Sequence, residues 1–483
     1  MRRTRGSTTG RLRNLLGTLL LVCLPLLAVL GALVAFRAGE PPTLTLETEP
    51  PALGPKTRVT ATAEVGGRGL SRLRLELVQG KNVRVLAEKS HAPRPAWAFW
   101  GPRATRDALD LVLGRENLAG LVDGDAALRI VVDRAPAALR APGPSVKELT
   151  RPLRLRPPAM ERLSRDNGAT QGGSGVVVYR VSASSVRDGV AAGDFWFPGH
   201  PLPGGAALDR FAFFGVPYDL ADVKAVRLVA EDDVGNRTEA AFLDRFSPKP
   251  FATDTIPVKD DFLAKVAPEI LGQSPEVKGA ADPVATFLAI NRDLRQRNAE
   301  ALRTLADGSA PKFLWRDAFL PLPRAKVMSA FADRRSYVYA GREVDRQTHL
   351  GFDLAATRNT PVPAANDGVV VLARYLGIYG NAVVLDHGYG LMSLYAHLSA
   401  TDVAQGQSVA RGDVLGRTGD TGLAAGDHLH FTMLVQGMPV NPREWWDAHW
   451  IRDQVARILG PALPFVGPAE APPAKPERSR KKR

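Results

Sequence analysis

The sequence predicts a mainly β chain with an N-terminal transmembrane helix, one or two β-sandwich segments, a helical linker and a C-terminal antiparallel β domain. Three observations carry this. Five arginines precede an uncharged, apolar stretch at residues 14–36. Period-two runs of apolar residues recur from residue 43 onward, punctuated by many of the 45 glycines and 38 prolines. Five of the eight histidines fall between His349 and His430, among further short alternating runs.

The N-terminus reads as an address. Arg2, Arg3, Arg5, Arg11 and Arg13 come before the 14–36 stretch, and only Arg37 follows closely. A helix of that length rises about 34 Å, enough for a bilayer core of about 30 Å. The arginine asymmetry predicts a cytoplasmic N-terminus, with the chain after Arg37 outside the cytoplasmic membrane. A cleavable signal peptide is the competing reading. It needs a shorter apolar region and a small-x-small site, and no clear site follows. Residues 1–40 are therefore expected to be a basic stub and uncleaved, single-pass signal-anchor in the cytoplasmic membrane, with the bulk of the chain outside it. The lone cysteine, Cys23, lies inside this run and excludes an intramolecular disulfide. Val22 before it is not the small residue that a lipidation site wants.

Residues 41–157 read as a β-sandwich. Alternating runs occur at 43–47, 58–65, 73–78, 128–132 and 149–155, with a short helix expected at 105–113. Residues 172–250 form a second β-rich segment. The run 175–181 reads as a strand, and 226–238 as strand, turn, strand, with Gly235-Asn236 bending the chain. That hairpin resembles the closing hairpin of bacterial immunoglobulin-like domains. Apolar positions Val284, Phe287, Leu288 and Leu294 approach helical spacing, so residues 258–310 read as a helical linker. Residues 461–483, rich in Pro and Ala before a run of Arg and Lys, read as a disordered basic tail.

The net charge of +13 admits two readings: arginines spread over solvated surface, or attraction to an anionic polymer or membrane. No segment interleaves basic and aromatic residues, so nucleic acid is excluded as a partner.

The histidine cluster prompts a search for a metal site. A catalytic zinc takes three protein ligands and keeps one position open. His349 and Asp353 are four apart around Gly351, and His428 and His430 are two apart, on one face if the segment is a strand. Each pair alone reads as ordinary exposed residues. Order and surroundings change that. His349-Leu-Gly-Phe-Asp353 is followed by Thr360-Pro-Val-Pro, Asp367-Gly-Val-Val, Gly380-Asn-Ala-Val-Val-Leu-Asp-His-Gly388, Tyr395-Ala-His397-Leu-Ser, Arg411-Gly-Asp-Val-Leu-Gly416 and His428-Leu-His430-Phe.

Over residues 313–446 this series resembles the LytM/lysostaphin-type zinc metalloendopeptidases, the peptidoglycan hydrolases whose core carries such blocks in this order. The resemblance implies an antiparallel β metallopeptidase domain with one zinc ion, held by His349, Asp353 and His430. It implies His397 and His428 as the catalytic histidines and peptidoglycan as the substrate. His387 is expected in a hairpin turn outside the site. His91, His200 and His449 are assigned to surface or packing, and Gly368, Gly412 and Gly416 to turns. The sequence departs from the family pattern at Asn359, where a glycine is common, at Asp427, where a small residue is common, and at Thr432, where a glutamate is frequent. Asp427 is expected to raise the pKa of a neighbouring histidine.

The expected function is a peptidoglycan hydrolase anchored in a bacterial cytoplasmic (inner) membrane, the bulk of its chain periplasmic, with a protein regulator acting through the β segments. The alternative is a non-hydrolytic regulator of other wall hydrolases, a role taken by relatives that have lost ligands. All five positions are present here.

Overall fold

The computed structural model describes residues 8–36, 40–92, 95, 101–137, 139–220 and 222–465. Residues 1–7 of the expected N-terminal stub, and the tail from 466 onward, lie outside them. The start of the expected tail is packed: residues 461–465 close with the Phe465 ring 4.9 Å from Trp315.

Thr8–Phe36 is a helix, and the large apolar side chains described along it, from Leu19 to Leu33, are exposed. Among the described residues no helix is long and apolar enough to cross a membrane, so they do not support the expected transmembrane helix. The chain divides into two compact units, residues 1–157 with 232–236, and residues 158–231 with 237–483.

The first unit holds two antiparallel sheets around one core. Thr43–Glu49, Arg58–Glu64 and Arg106–Val112 form the smaller sheet. Asn82–Ser90, Leu70–Gln79, Gly124–Arg134 and Ser145–Leu153 form the larger. Val59, Ala61 and Leu109 from one sheet meet Leu73, Leu75, Leu128 and Ile130 from the other, the interdigitation of a β-sandwich. The helix expected at 105–113 is instead the Arg106–Val112 strand. Its residues pair with Arg58–Glu64, and the Arg58–Asp110 and Arg106–Glu64 ion pairs cross that ladder. A single helical turn, Arg115–Leu118, follows it.

The second unit opens with another pair of four-stranded sheets. In one, Ser174–Val181 and Asp209–Gly215 are central; in the other, Ser185–Ala192 and Val226–Asp232. These sheets share their core with the C-terminal region. Phe213 and Trp315 each stack edge-on against the buried Trp445, whose Nε1 donates to Ser174 Oγ at 3.0 Å. Glu444 beside it accepts from Ser174 N at 2.8 Å and Thr170 Oγ1 at 2.5 Å.

The C-terminal sheet is antiparallel, in the order Lys326–Ser329, Phe352–Ala355, Leu429–Val435, Leu391–Leu398, Asn381–Asp386, Gly368–Tyr375 and Ser408–Val409. Alternation divides the Leu429–Val435 strand between two layers. Phe431, Met433 and Val435 enter the core shared with the preceding β segment. Leu434, on the face of His430 and Thr432, packs with Leu302 and Ala306 of the Arg295–Ala306 helix. Asp260–Gln273 and Pro283–Leu288 extend this helical layer, meeting Ile378, Tyr379 and Leu423. The helices thus cover the sheet face that carries the histidines. Of the three glycines expected at turns, Gly412 has the left-handed backbone of one. Gly368 and Gly416 lie within strands, where neighbouring backbone leaves no room for a Cβ.

Candidate metal and catalytic site

Strand register assembles the site. Asp353 on Phe352–Ala355 lies directly opposite His430 on Leu429–Val435. His349 ends the preceding strand, Arg342–His349. Gly351 lets that chain pass close: a Cβ there would lie 2.5 Å from the His430 ring. His349 Nε2, His430 Nδ1 and Asp353 Oδ1 form a triangle with edges of 2.9, 3.0 and 3.0 Å.

These three groups could hold a metal ion. Tetrahedral zinc with bonds of about 2.0–2.1 Å separates its ligand atoms by about 3.3 Å, so the triangle fits after opening by a few tenths of an ångström. Two imidazoles and a carboxylate on one side of an ion are the donor set of a catalytic zinc with an open position.

The surroundings fix which nitrogen faces the centre. A carbonyl oxygen can only accept, so His349 Nδ1–H donates to Ala330 O at 3.0 Å and leaves Nε2 free. Thr432 donates its hydroxyl proton to Leu350 O at 2.8 Å. Its oxygen is then left to accept from His430 Nε2–H at 3.0 Å, which frees His430 Nδ1. Thr432 therefore supplies an acceptor from the position where the family pattern frequently has a glutamate.

His397 and His428 stand beside the triangle, their ring centroids 4.9 Å apart. His397 donates Nδ1–H to Thr421 O at 2.8 Å, and His428 to Gly426 O at 2.7 Å. Each presents its Nε2 as the free nitrogen, and that of His428 lies 3.5 Å from Asp353 Oδ1. His397 holds a left-handed backbone, φ 61°, at the end of its strand. Strain of this kind in a residue other than glycine persists only where surrounding structure enforces it.

Burial and charge set the protonation preferences. Burial, then the neighbouring His428 and His430, hold His397 well below the usual histidine range. Burial also pushes His428 down, but the Asp353 carboxylate outweighs it and the net direction is up. That partner corrects the expectation for Asp427, which instead accepts from Thr418 Oγ1 at 2.7 Å and Asn359 N at 3.2 Å. Asn359 takes a left-handed backbone, φ 56°, the conformation a glycine would adopt there. Burial works against the charge of Asp353, and its histidine neighbours reverse this, holding it well below the carboxylate range.

Two arginines lie outside the expected set, one in contact with the centre and one lining its cavities. Arg335 Nη2 binds Asp353 Oδ2 at 2.7 Å. Arg295, from the helical layer, lines cavities of about 200 and 240 Å³ that both touch His349 and His430. Neither arginine stands beside a histidine in sequence; Thr432 could have been found as the same-face neighbour two residues beyond His430.

His387 is not part of the site. It follows the Asn381–Asp386 strand at a turn, yet is wholly buried, with Nδ1 on Asp367 O at 2.7 Å and Nε2 2.8 Å from Ser393 Oγ. His200 packs against Phe211 and Tyr389, His91 pairs with Asp107, and His449 is exposed.

The comparisons with known proteins meet this geometry at residues 347–442, which match the model of Peptidase family M23. Residues 347–442 are an M23 peptidase domain. Within and around it, 94 residues are 49% identical to the DD-carboxypeptidase/endopeptidase Mpg of Neisseria meningitidis, over 20% of this chain and 22% of that protein. A 116-residue stretch is 41% identical to the peptidoglycan DD-endopeptidase ShyA of Vibrio cholerae, over 24% of this chain and 26% of that protein. The matches thus span about a quarter of these relatives. The solved catalytic domain of lysostaphin from Staphylococcus simulans aligns with 27% of this chain and 98% of its own, at 25% identity and a TM-score of 0.23. His349, Asp353, His397, His428 and His430 all lie inside the M23 domain; Arg295 and Arg335 lie outside it.

Proposed function

We propose that this chain is a zinc metalloendopeptidase that hydrolyses peptide bonds in peptidoglycan stem peptides or cross-links. The observation that carries the reading is the ligand triangle of His349, Asp353 and His430, flanked by His397 and His428, whose Nδ1 atoms are bound to backbone carbonyls and whose Nε2 atoms are left free. The names of the M23 relatives support the substrate class. Zinc bound by the triangle would lower the pKa of water toward neutrality and polarise a scissile carbonyl. His397 and His428 then share the proton traffic, taking a proton from the attacking water and delivering one to the departing amine. Thr421 O and Gly426 O keep both rings in the tautomer that this needs.

Substrate access requires movement. The cavity over the ligands is about 200 Å³, below the roughly 300–1,000 Å³ of sites that hold small molecules, and a wall cross-link is larger still. Phe262 and Leu423 line it, and the Asp260–Gln273 helix is held to the 420–425 loop. Glu269 Oε1 accepts from Gly422 N at 2.8 Å, and Lys265 pairs with Asp420 at 2.8 Å. In this reading the helix covers the groove until it is displaced, and a protein regulator acting through the β segments is one means of displacing it.

The localisation belongs to the same proposal: a cytoplasmic N-terminus, residues 1–40 as the anchor read from sequence, and the M23 domain on the wall side. Supporting it are the arginines before residue 14 and the exposed leucines from Leu19 to Leu33. Membrane fractionation with protease protection tests it; residues 40–465 digested only after cell lysis and inner-membrane opening would contradict it. The catalytic reading is tested on isolated peptidoglycan with and without a chelator. A protein that binds the wall and cuts nothing, zinc-loaded and with the helix displaced, would favour the non-hydrolytic regulator instead.

A further inference from the structure

Arg295 begins the Arg295–Ala306 helix, beyond the M23 domain, and lines both cavities that touch the ligands His349 and His430. Its guanidinium is held rather than free to swing. Nε donates to Asn291 O at 3.1 Å and Nη2 to Asn291 Oδ1 at 2.6 Å. Asn291 is fully buried and fixed in turn, its Nδ2 donating to Asp345 Oδ2 at 2.8 Å. The helix carrying Arg295 is seated on the catalytic sheet through Leu302 and Ala306.

The charge is placed against electrostatic preference. Arg335 is neutralised by Asp353, but among the described residues Arg295 pairs with no carboxylate. A zinc ion on one carboxylate and two imidazoles would itself be net positive, so a guanidinium lining the same cavity with no carboxylate partner would repel the ion. Such a group raises the attraction of the cavity for an anion. A planar, pre-oriented guanidinium suits a carboxylate in particular.

We propose that Arg295 is a specificity residue that recognises a free carboxylate on the peptide substrate, close to the scissile bond. This rests on the peptidase reading and narrows its substrate class to stem peptides whose side-chain carboxylate is not amidated. Arg295 lines both cavities together with His349 and His430, so this carboxylate would sit in the same cavity as the ligands.

The test uses the full-length chain with its covering helix released by Glu269→Ala, either wild type at Arg295 or carrying Arg295→Gln, and two synthetic stem peptides that differ only in carboxylate against carboxamide. Binding is measured by calorimetry on the metal-free protein, and kcat and KM on the zinc-loaded protein. The wild type is expected to bind the carboxylate peptide at least about 10-fold more tightly, about 1.4 kcal/mol. Arg295→Gln should bring that ratio close to one, chiefly through KM, with zinc content unchanged and the melting temperature lowered only by the lost Asn291 hydrogen bonds. A wild type without preference, or a variant that keeps it, overturns the proposal. Should Arg295→Gln fail to fold, Arg295→Met, which keeps the length of the stem, replaces it under the same criteria. Binding preference without any zinc-dependent cleavage would remove the peptidase reading and leave the carboxylate site standing.

Discussion

Arg335 Nη2 lies 2.7 Å from Asp353 Oδ2, while Asp353 Oδ1 faces His349 and His430. The guanidinium therefore occupies one carboxylate oxygen and leaves the other for the metal. On the proposed function Arg335 acts through Asp353, as a positioning residue. Loss of such outer partners commonly weakens metal binding by about 10–100-fold. Arg335→Ala should weaken zinc binding by about that factor in a chelator competition, with Arg335→Lys intermediate. Unchanged zinc affinity in the alanine variant would remove Arg335 from this role.

The free histidines and the ligand histidines separate by a different measurement. His397→Ala and His428→Ala should each lower kcat by about 10²–10⁴-fold while zinc content stays at one per chain. His430→Ala should lose the zinc itself. A His397→Ala protein that released its metal would move that residue into the ligand set.

Glu269 holds the covering helix through Gly422 N and the Tyr375 hydroxyl, the latter at 3.1 Å. A hydrogen bond to a charged group contributes about 1.5–3 kcal/mol. Glu269→Ala should therefore favour the open groove and raise cleavage of polymeric peptidoglycan by about 10-fold or more. Equal rates in the two proteins would show that this helix does not limit access.

His387 predicts a pH dependence of stability. Burial pushes its pKa down to about 4 in the folded chain, against about 6.5 when unfolded. Between these values the unfolded chain binds the extra proton, so stability is intact above about pH 6.5 and falls as pH drops toward 4. The loss is about 3 kcal/mol, to order of magnitude. In denaturant titrations His387→Gln should show a shallower fall from pH 7 to 5 than the wild type. The same slope in both would mean that His387 charges freely in the fold.

Trp445 bridges the M23 domain and the β segment before it. Trp445→Ala should cost about 3–5 kcal/mol by denaturant unfolding. For the same reason a fragment of residues 313–446 alone would expose Phe313, Trp315 and Trp445, and should melt lower than one that includes residues 158–250.

Local pattern carried much of what the sequence revealed. The alternation at 43–47, 58–65 and 175–181 is visible in the chain, because side chains on a strand alternate whatever their partner. The proximity of His428 and His430 follows from a spacing of two. What pairing decides was not legible. Asp353 meets His430 across a ladder 77 residues apart. The 105–113 run has Arg, Asp, Ala and Leu that suit a helix, and only the distant Arg58–Glu64 strand makes it β. Helical spacing gave no sign of which surface the 258–310 helices cover. Arg295 and Arg335 reach the site through tertiary packing, and their neighbours in sequence carry no trace of it.

The most direct test is digestion of isolated peptidoglycan by the full-length chain, wild type and Glu269→Ala, with mass analysis of the new ends. The account predicts loss of cross-linked peptides and new amino termini, abolished by thorough chelation, restored by zinc and absent with His430→Ala. Cleavage that survives complete metal removal, or equal activity with His430→Ala, would contradict it.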